Sequence, residues 1–477
     1  MRRREYMTGL AGVTGMVTVT PTGKAIQDNT GQGPPENTPG QGPPENTPPR
    51  QGDSVFELAD QIDNVRCGVV GLGNRGSGMV SHYDSMYPEK GEIKAICDLR
   101  KEAVDDTMDW FDENSEQDPD TYYGSENAYQ DLCERDDIDV VFIHTHPQKH
   151  AEIAVYAMEQ GSHAGVEVPA AITIEECWDL VDTAEKTQQQ CIMLENVNYF
   201  HEEMWLLNMA QQGVFGDELT YAKGGYIHHL IGHYFFHAYW NNWRARYHYN
   251  RKGDLYPTHG LGPIAHYMDI LRGDRMEYIV AHDSPETRMT QAAAELSDDH
   301  EFAGATDWAN GDMATSIIAT NEGKQITLQH DVKTTRPYNR HNELAGNKAF
   351  HTGYPSELTI DGEFTGQKSG DDGYDQYADE YEHPLWEVAG DLAEEHGGHG
   401  GGDWLMVYRL FDAFNDGRPQ DMNVYEAATW SSVIPLSEIS VEHGSAPVKF
   451  PNFTRGEWKK ERDLQTMQFE TIEEPGV

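Results

Sequence analysis

Three closely spaced glycines follow a short apolar run, in an arrangement that could hold a phosphate. The run Val65–Val70 leads directly into the hexapeptide GLGNRG at residues 71–76, and a helix-compatible stretch continues to about Met86. Gly71 permits a tight turn, Gly73 lets backbone N–H groups approach an anion, and Gly76 lets the helix pack closely on the strand. The spacing is typical of a strand, a phosphate-binding turn and a helix.

An acidic residue follows at the distance that a dinucleotide site requires. A second predicted strand, Glu92–Cys97, ends in Asp98, about twenty residues after the last glycine. A carboxylate there binds the ribose hydroxyls of NAD and repels the 2′-phosphate of NADP. Arg75 and Arg100 lie nearby and leave NADP as the alternative. We therefore predict a dinucleotide-binding domain and favour NAD as its cofactor.

Further polar residues stand where later predicted strands end. Because ligands of a doubly wound sheet bind at the carboxyl ends of its strands, we expect Thr145–His150, Glu167 with Val168, and Glu195 with Asn196 around the cofactor. The elements that must position them alternate along the chain: helices beginning at Lys101, Pro147 and Ile174, and strands Val140–Thr145, His163–Val168 and Ile192–Glu195.

The pattern changes after Asn196 to longer aromatic and polar runs, including the apolar run Ile326–Val332. We predict an α/β protein in which an N-terminal Rossmann domain with a doubly wound parallel sheet, residues 61–196, precedes a C-terminal α+β domain with a large, mainly antiparallel sheet, residues 197–477. The second domain would carry the substrate and an oligomer interface.

Three histidines at helical spacing raise the question of a metal site. His229, His233 and His237 would share one face of a helix, but no carboxylate completes an HExxH-type set and the stretch is aromatic. No metal is predicted. The tyrosines and tryptophans from Tyr226 to Trp243 suit stacking on a sugar ring and equally suit an oligomer interface.

The first sixty residues are predicted to lie outside the fold. Arg2, Arg3 and Arg4 precede a weakly apolar stretch that resembles a twin-arginine export signal, with a disordered basic start and a cytoplasmic protein as the alternative. The nonapeptide GQGPPENTP occupies residues 31–39 and again residues 40–48, which indicates a disordered linker.

The composition excludes several classes of partner. The 81 acidic residues against 35 Lys and Arg give a net charge of −46, which would repel nucleic acid and indicates adaptation to high salt. The chain has no apolar run of roughly 20 residues, so stable membrane insertion is not expected. Its five cysteines form no CxxC pair and are expected to be buried free thiols.

Several longer motifs carry a resemblance to a known family. The domain order resembles the glucose-fructose oxidoreductase and inositol dehydrogenase superfamily, whose members mostly carry a catalytic Lys in a Glu-Lys-Pro motif. Here Glu167, Val168 and Pro169 stand instead, as in the NAD-dependent alpha-N-acetylgalactosaminidases of glycoside hydrolase family 109, which the chain resembles from about residue 65 to 460. The supporting motifs are Glu195, Asn196 and Tyr199; GYIH at 225–228; YPTHGLGP at 256–263; RPY at 336–338; and HGGHGG at 396–401.

The resemblance implies a set of site residues. Besides the glycine turn, it implies cofactor contacts at Asn74, Arg75, Asp98, Pro147, Gln148, Lys149, His150, Glu167, Val168 and Asn196. It implies sugar contacts at Tyr226, Arg244, Tyr256, Pro257, Thr258, His259 and Tyr338, and the glycine-rich loop suggests His399 and Asp403 as further ones. The turn at residues 147–149 lacks the family's usual Trp, and His229 replaces its usual Asp.

The resemblance also implies an unusual hydrolysis. NAD would oxidise C3 of the sugar, a base would remove the C2 proton, the aglycone would leave by elimination, and water addition and reduction would follow. Tyr199 is expected to be the C2 base, with Arg244 as one candidate to stabilise its phenolate, and His259 is expected to take the C3 hydroxyl proton. The alternatives are an NAD-dependent sugar or polyol dehydrogenase, and a sugar-binding protein without catalysis. A homo-oligomer is also implied.

Overall fold

Short apolar strands build the first sheet of the protein. The computed structural model describes residues 47–235, 239–367 and 372–468. Six parallel strands lie in the order β3-β2-β1-β4-β5-β6, so the direction of winding reverses between β1 and β4. The strands are β1 Val65–Val70, β2 Gly91–Asp98, β3 Asp120–Tyr123, β4 Val140–Ile143, β5 His163–Val166 and β6 Cys191–Met193. A ligand crevice is expected at this reversal.

Five helices cover the two faces of this sheet, and their ends follow local sequence. α4 begins at a proline and is followed by Gly161, whose φ of 98° suits glycine. Thr173 and Glu176 form a reciprocal cap at the start of α5. The helices are α1 Asn74–Asp84, α2 Lys101–Asn114, α3 Ala128–Cys133, α4 Pro147–Gln160 and α5 Ile174–Thr187. The predicted Rossmann alternation is confirmed. β3 and α3 were not predicted, because β3 is polar and mostly exposed.

The C-terminal sheet has nine strands in the order β14-β13-β12-β11-β7-β10-β9-β8-β15. The pairing of β7 with β10 is parallel, and the other ladders of this sheet in the described residues are antiparallel, which confirms the predicted architecture. Its strands are β7 Leu219–Ile227, β8 Met276–Asp283, β9 Ala314–Thr320, β10 Gln325–Asp331, β11 Glu343–Gly346, β12 Ala349–Gly353, β13 Ser356–Ile360, β14 Glu363–Gln367 and β15 Val448–Lys449.

Helices of the C-terminal half pack on this sheet and also reach the first domain. α9 lies close on β7, because a Cβ at Gly224 would meet the carbonyl oxygen of Gly260 at 2.1 Å. α13 packs against α1 and β1 of the Rossmann domain. The helices are α6 His201–Gln211, α7 Ile231–Phe235, α8 Trp243–Asn250, α9 Thr258–Tyr267, α10 Arg288–Ala293, α11 Asp372–Glu380, α12 Pro384–His396, α13 Gly402–Asp416, α14 Val424–Ser431 and α15 Val433–Glu442.

The N-terminal boundary lies earlier than predicted. Residues 47–60, assigned from sequence to the linker, contact the body of the protein: Val55 and Phe56 are buried in the core, and Ser54 donates a hydrogen bond to Glu457. The export-like start and the first nonapeptide lie outside the described residues. In the described part of the chain no helix is both long and apolar enough to cross a membrane. All five cysteines are buried and unpaired, as predicted.

A buried histidine at the start of α12 is expected to make folding sensitive to acid. His383 accepts a hydrogen bond from the N–H of Leu385, and burial, aided by the charge of Arg409, lowers the pKa of its imidazole to about 3. The unfolded chain binds this proton below its ordinary pKa of about 6.5, so stability is complete above that pH and is lost as the pH falls towards 3. We expect protonation of His383 alone to lower the free energy of unfolding by a few kcal/mol, on the order of 1.4 kcal/mol per pKa unit.

The measurement is chemical denaturation at constant high salt between pH 7 and pH 4, comparing the wild type with His383→Asn. Asparagine can accept the same N–H at the helix start but does not titrate in this range. The free energy of unfolding of the variant should therefore fall less steeply with decreasing pH. Parallel pH curves for the two proteins would contradict the assignment.

Candidate active site

A cavity of about 680 Å³ opens at the carboxyl ends of the first sheet, where the strand order reverses. One wall comes from the glycine turn and the ends of β2, β4 and β5, and the other from the C-terminal domain. The predicted residues that line it are Gly71, Gly73, Asn74, Arg75, Asp98, Pro147, Lys149, His150, Glu167, Val168, Asn196, Tyr226, Arg244, Tyr256 and His259. The two domains thus share one site.

The glycine turn fits a pyrophosphate. Gly71 has a φ of 95°, and a Cβ there would lie 2.7 Å from the backbone of His144. A Cβ at Gly73 would meet nothing within 4 Å, and Gly73, which lines the cavity, starts α1 without a side-chain cap, so the amino end of this helix is presented to an anion. Gly76 lies off the cavity wall, and its hydrogen faces the carbonyl oxygen of Gly71 at a distance that only glycine allows.

Asp98 joins the end of β2 to the glycine turn. Its two carboxylate oxygens each accept a backbone N–H at 2.8 Å, from Leu72 and from Arg100. The guanidinium of Arg100 pairs with Asp98 and lies over the ring of Trp240 at 6.0 Å. This arginine, the candidate to receive a 2′-phosphate, is therefore already paired with a carboxylate.

Arg75 is held by two buried carboxylates. It pairs with Glu167 at 2.8 Å and with Asp403 at 2.9 Å. Although burial opposes ionisation, the charge of Arg75 and a hydrogen bond from His144 hold the pKa of Glu167 well below its ordinary value. With both arginines neutralised, the site favours NAD over NADP.

Asp403 ties the glycine loop to the cofactor wall. Its carboxylate accepts hydrogen bonds from Asn196 at 2.6 Å and contacts Nδ1 of His399 at 2.7 Å, as well as Arg75. Burial raises the pKa of Asp403, but these partners hold it well below the ordinary value. Suggested from sequence as a sugar contact, Asp403 is instead buried and fully engaged. The side chain of His399 is 62% exposed and lines the cavity.

Two buried atoms at the wall lack hydrogen-bond partners among the described residues: Oδ1 of Asn196 and Nη2 of Arg75. An amide oxygen and a guanidinium N–H suit the carboxamide and phosphate groups of NAD, so the residues present fit this cofactor.

In the turn after β4, both ring nitrogens of His150 face backbone carbonyls, and Gln148 contacts His146 without lining the cavity.

The wall that the C-terminal domain contributes, the aromatic wall, carries tyrosine and tryptophan rings and one guanidinium. Arg244 lies over the rings of Tyr239, Trp243 and Tyr256, at 4.5, 5.0 and 5.4 Å. The rings of Tyr226 and Tyr256 are 4.8 Å apart. Burial raises the pKa of Tyr226 to about 12, and Arg244 acts against this rise. The stretch at residues 226–243 was predicted to stack on a sugar ring or to form an oligomer interface. Besides Tyr226, it lines the cavity through Tyr239, Trp240, Asn241 and Trp243.

His259 reaches the cavity from the first turn of α9. Its Nδ1 lies 2.7 Å from Oε1 of Glu195, and its ring meets those of Tyr226 and Tyr256 edge-on at 5.3 and 4.9 Å. His266, on the same helix, is 1% exposed, and its two ring nitrogens contact Asn198 and Glu426. The structure therefore leaves His259 as the histidine of this helix that can contact a substrate.

Tyr199, the predicted C2 base, lies in the protein interior. It is 3% exposed, does not line the cavity, and donates a hydrogen bond of 2.9 Å to Asp421, which pairs with Arg409. Burial and the charge of Asp421 raise its pKa well above the ordinary value. Arg244, proposed to stabilise its phenolate, lies in the aromatic wall instead.

Replacement of Tyr199 by phenylalanine should therefore affect stability and leave turnover unchanged. The change removes one hydrogen bond to a buried carboxylate that keeps its arginine partner, at an expected cost of about 1–3 kcal/mol. Denaturation curves and kcat of Tyr199→Phe check the two parts. A large loss of kcat in a variant that folds and retains NAD would restore Tyr199 to the catalytic set.

Other predicted contacts also lie off the cavity. Pro257 and Thr258 are buried and do not line the cavity, and Tyr338, also outside the cavity lining, contacts His228 and Arg340. Residues missed from sequence are Ser125, Glu126 and Tyr129, which follow the unpredicted β3. His229 precedes the five-residue α7, and His237 lies outside the described residues.

Comparisons with known proteins agree with this arrangement. A family model described as glycosyl hydrolase 109, C-terminal domain, matches residues 199–460, and one described as oxidoreductase family, NAD-binding Rossmann fold, matches residues 65–195. A glycosyl hydrolase family 109 protein of Shewanella woodyi is 43% identical over 427 residues, covering 87% of this chain and 91% of its own length. An alpha-N-acetylgalactosaminidase of Shewanella oneidensis is 42% identical over 426 residues, with the same shares covered.

Solved structures share the fold at low identity. An oxidoreductase domain protein from Kribbella flavida has a TM-score of 0.62 at 17% identity, covering 82% of this chain and 100% of its own. A levoglucosan dehydrogenase in complex with NADH and levoglucosan has a TM-score of 0.60 at 16% identity, with the same shares covered. These likenesses support the fold, whereas the family match extends along most of the chain. The chain therefore belongs to glycosyl hydrolase family 109, as a glycoside hydrolase with an NAD-binding Rossmann domain.

Proposed function

We propose that this enzyme hydrolyses an N-acetylgalactosaminide or a related glycoside by transient oxidation at C3. The observation that carries the proposal is the single cavity in which the glycine turn and Asn196 face Tyr226, Arg244 and His259. The name of the Shewanella oneidensis relative supports the choice of sugar.

The residues that would hold NAD are the glycine turn, Asp98 and Asn196, with Arg75 on the same wall. NAD bound there supplies a hydride acceptor for C3 and returns the hydride at the end, so that the net reaction is hydrolysis. The protein must keep the nucleotide in place throughout. Asp403 serves this purpose, because it joins the glycine turn to the loop that carries His399.

His259 is suited to take the proton of the sugar C3 hydroxyl. Nε2 has no hydrogen-bond partner among the described residues, while Nδ1 is held by Glu195. An imidazole so oriented can accept a proton as the C3 carbon is oxidised and give it back when the ketone is reduced.

Tyr226 replaces Tyr199 as our candidate for the C2 base. A ketone at C3 acidifies the C2 proton, and the phenol of Tyr226 lies on the cavity wall beside the guanidinium of Arg244. The charge of Arg244 favours the phenolate against the effect of burial. Elimination would then break the bond between C1 and the glycosidic oxygen.

His399 is suited to give a proton to the departing oxygen. It stands at the cavity on a loop whose flanking glycines, Gly398 and Gly400, both have positive φ, and Asp403 holds its Nδ1. The two proton transfers would then use different histidines, His259 at the C3 hydroxyl and His399 at the departing oxygen. The same imidazole can afterwards activate the incoming water.

The test is incubation with an aryl N-acetylgalactosaminide in deuterated water in high salt, following aglycone release, deuterium at C2 and NADH absorbance. Aglycone release with deuterium at C2 and no stoichiometric NADH is the expected result. NADH accumulation from free sugars without cleavage or exchange would contradict the proposal and indicate a dehydrogenase. Cleavage of the glycoside without C2 deuterium would exclude the elimination route.

A further inference from the structure

A buried carboxylate from the Rossmann domain contacts the histidine of the aromatic wall. Glu195 follows β6 and is fully buried, and its Oε1 lies 2.7 Å from Nδ1 of His259, which comes from the C-terminal domain. We propose that Glu195 is the positioning residue of His259, fixing its tautomer and stabilising the imidazolium that forms when the sugar C3 hydroxyl is deprotonated. This inference rests on the proposed role of His259.

The hydrogen-bond pattern of Glu195 supports this role. Besides His259, Oε1 accepts the backbone N–H of Val197 at 3.1 Å, which fixes the carboxylate at the head of a single 3₁₀ turn, Asn196–Tyr199. Within the described residues, Oε2 has no hydrogen-bond partner and His259 is the ion-pair partner of Glu195. A buried carboxylate in this position orients the imidazole and is placed to stabilise the imidazolium that forms during proton transfer.

The surroundings of His259 offer no competing partner for Nδ1. The titratable or charged groups that face it from the packed elements are Tyr226, His228, Arg244, Tyr256 and Glu195. The two tyrosine rings meet the imidazole edge-on and clamp its plane. Because a carboxylate accepts but cannot donate, Nδ1 must carry the proton, which directs the lone pair of Nε2 to the substrate.

The pairing also crosses the domain boundary. Glu195 directly precedes Asn196, which lines the cavity, whereas His259 lies on α9, which packs on the C-terminal sheet. Their contact sets the position of the proton acceptor relative to the cofactor wall. A structural pair elsewhere in the protein shows the contrast: Glu426 binds His266 at 3.1 Å, but it also binds Arg272, and both partners are buried off the cavity.

The decisive variant is Glu195→Gln, which keeps the shape of the side chain and removes its charge. We expect kcat to fall by about 10²-fold or more, with KM and NAD content changed far less. The rate of NADH absorbance on mixing with substrate should fall in parallel, because oxidation at C3 is the step that needs the imidazolium. In the His259→Asn background, Glu195→Gln should cause almost no further loss, since the two residues act as a unit.

The outcomes separate this inference from the proposed function. A wild type without C2 exchange would refute the proposed function before any variant is compared. If the wild type exchanges C2, an unchanged kcat in Glu195→Gln, or an equal loss in the His259→Asn background, would overturn the role of Glu195. Should Glu195→Gln fail to fold, Glu195→Asp keeps the charge and tests the geometry. Glu426→Gln is the matched control, with stability lowered and the NADH rate unchanged.

Discussion

Replacement of His259 by asparagine is expected to lower kcat for glycoside hydrolysis by about 10²- to 10⁴-fold, the range for loss of a general acid–base group. Asparagine can still accept or donate at the aromatic wall but cannot carry the proton of the C3 hydroxyl. NAD content should be unchanged, because His259 lies on the aromatic wall and the residues that fit the nucleotide lie on the opposite wall. The measurement is kcat with NAD content determined on the same sample.

A matched control exists on the surface. His201 also pairs with a glutamate, Glu382, at 2.6 Å, but it lies outside the cavity and is 46% exposed. His201→Asn should therefore leave kcat unchanged. If His259→Asn retains wild-type turnover while its NAD content is normal, another group takes the C3 proton, and Tyr226 would be tested next.

Replacement of His399 by glutamine is expected to slow cleavage in a way that depends on the leaving group. For an alkyl or sugar aglycone, whose oxygen needs a proton, kcat/KM should fall by about 10²- to 10⁴-fold. For an aryl aglycone with an acidic phenol, the loss should be much smaller, because the oxygen leaves as a stable anion. A series of aglycones of rising pKa measures this as a steeper dependence of log kcat/KM on leaving-group pKa.

The last residue of α12, directly before this loop, provides the control for this variant. His396 stacks on Trp404 with ring centroids 5.0 Å apart and does not line the cavity. His396→Gln should therefore leave the leaving-group dependence unchanged. Equal losses of kcat/KM for all aglycones in His399→Gln would show that His399 holds the loop or the sugar and does not protonate the departing oxygen.

The Rossmann domain could be predicted closely from local patterns. Val65–Val70 is a strand with the predicted ends, and helices begin at Lys101, Pro147 and Ile174 as expected. A buried parallel strand is nearly all apolar and a glycine turn has one geometry, so both leave a signal within a few residues. By contrast β3 has no such signal, since its four residues are mostly exposed.

The residues of the candidate site could be predicted only in part. His259, Tyr226 and Arg244 were named from sequence motifs, and the cavity brings all three together. Tyr199 was named with equal reason and is buried against Asp421, a residue 222 positions away. A motif shows that a side chain is polar and near a strand end, but it does not show which way that side chain points.

Local sequence was sufficient for most of the strand and helix alternation of the first domain, the glycine turn and the acidic residue that ends β2, because each depends on neighbours along the chain. Tertiary structure was needed for the contacts that join the two domains: Asp403 on Arg75, Glu195 on His259, and Trp240 beside Arg100. Their partners are separated by 64 to 328 positions, and these pairings arise from the packing of the two domains, which no short segment encodes.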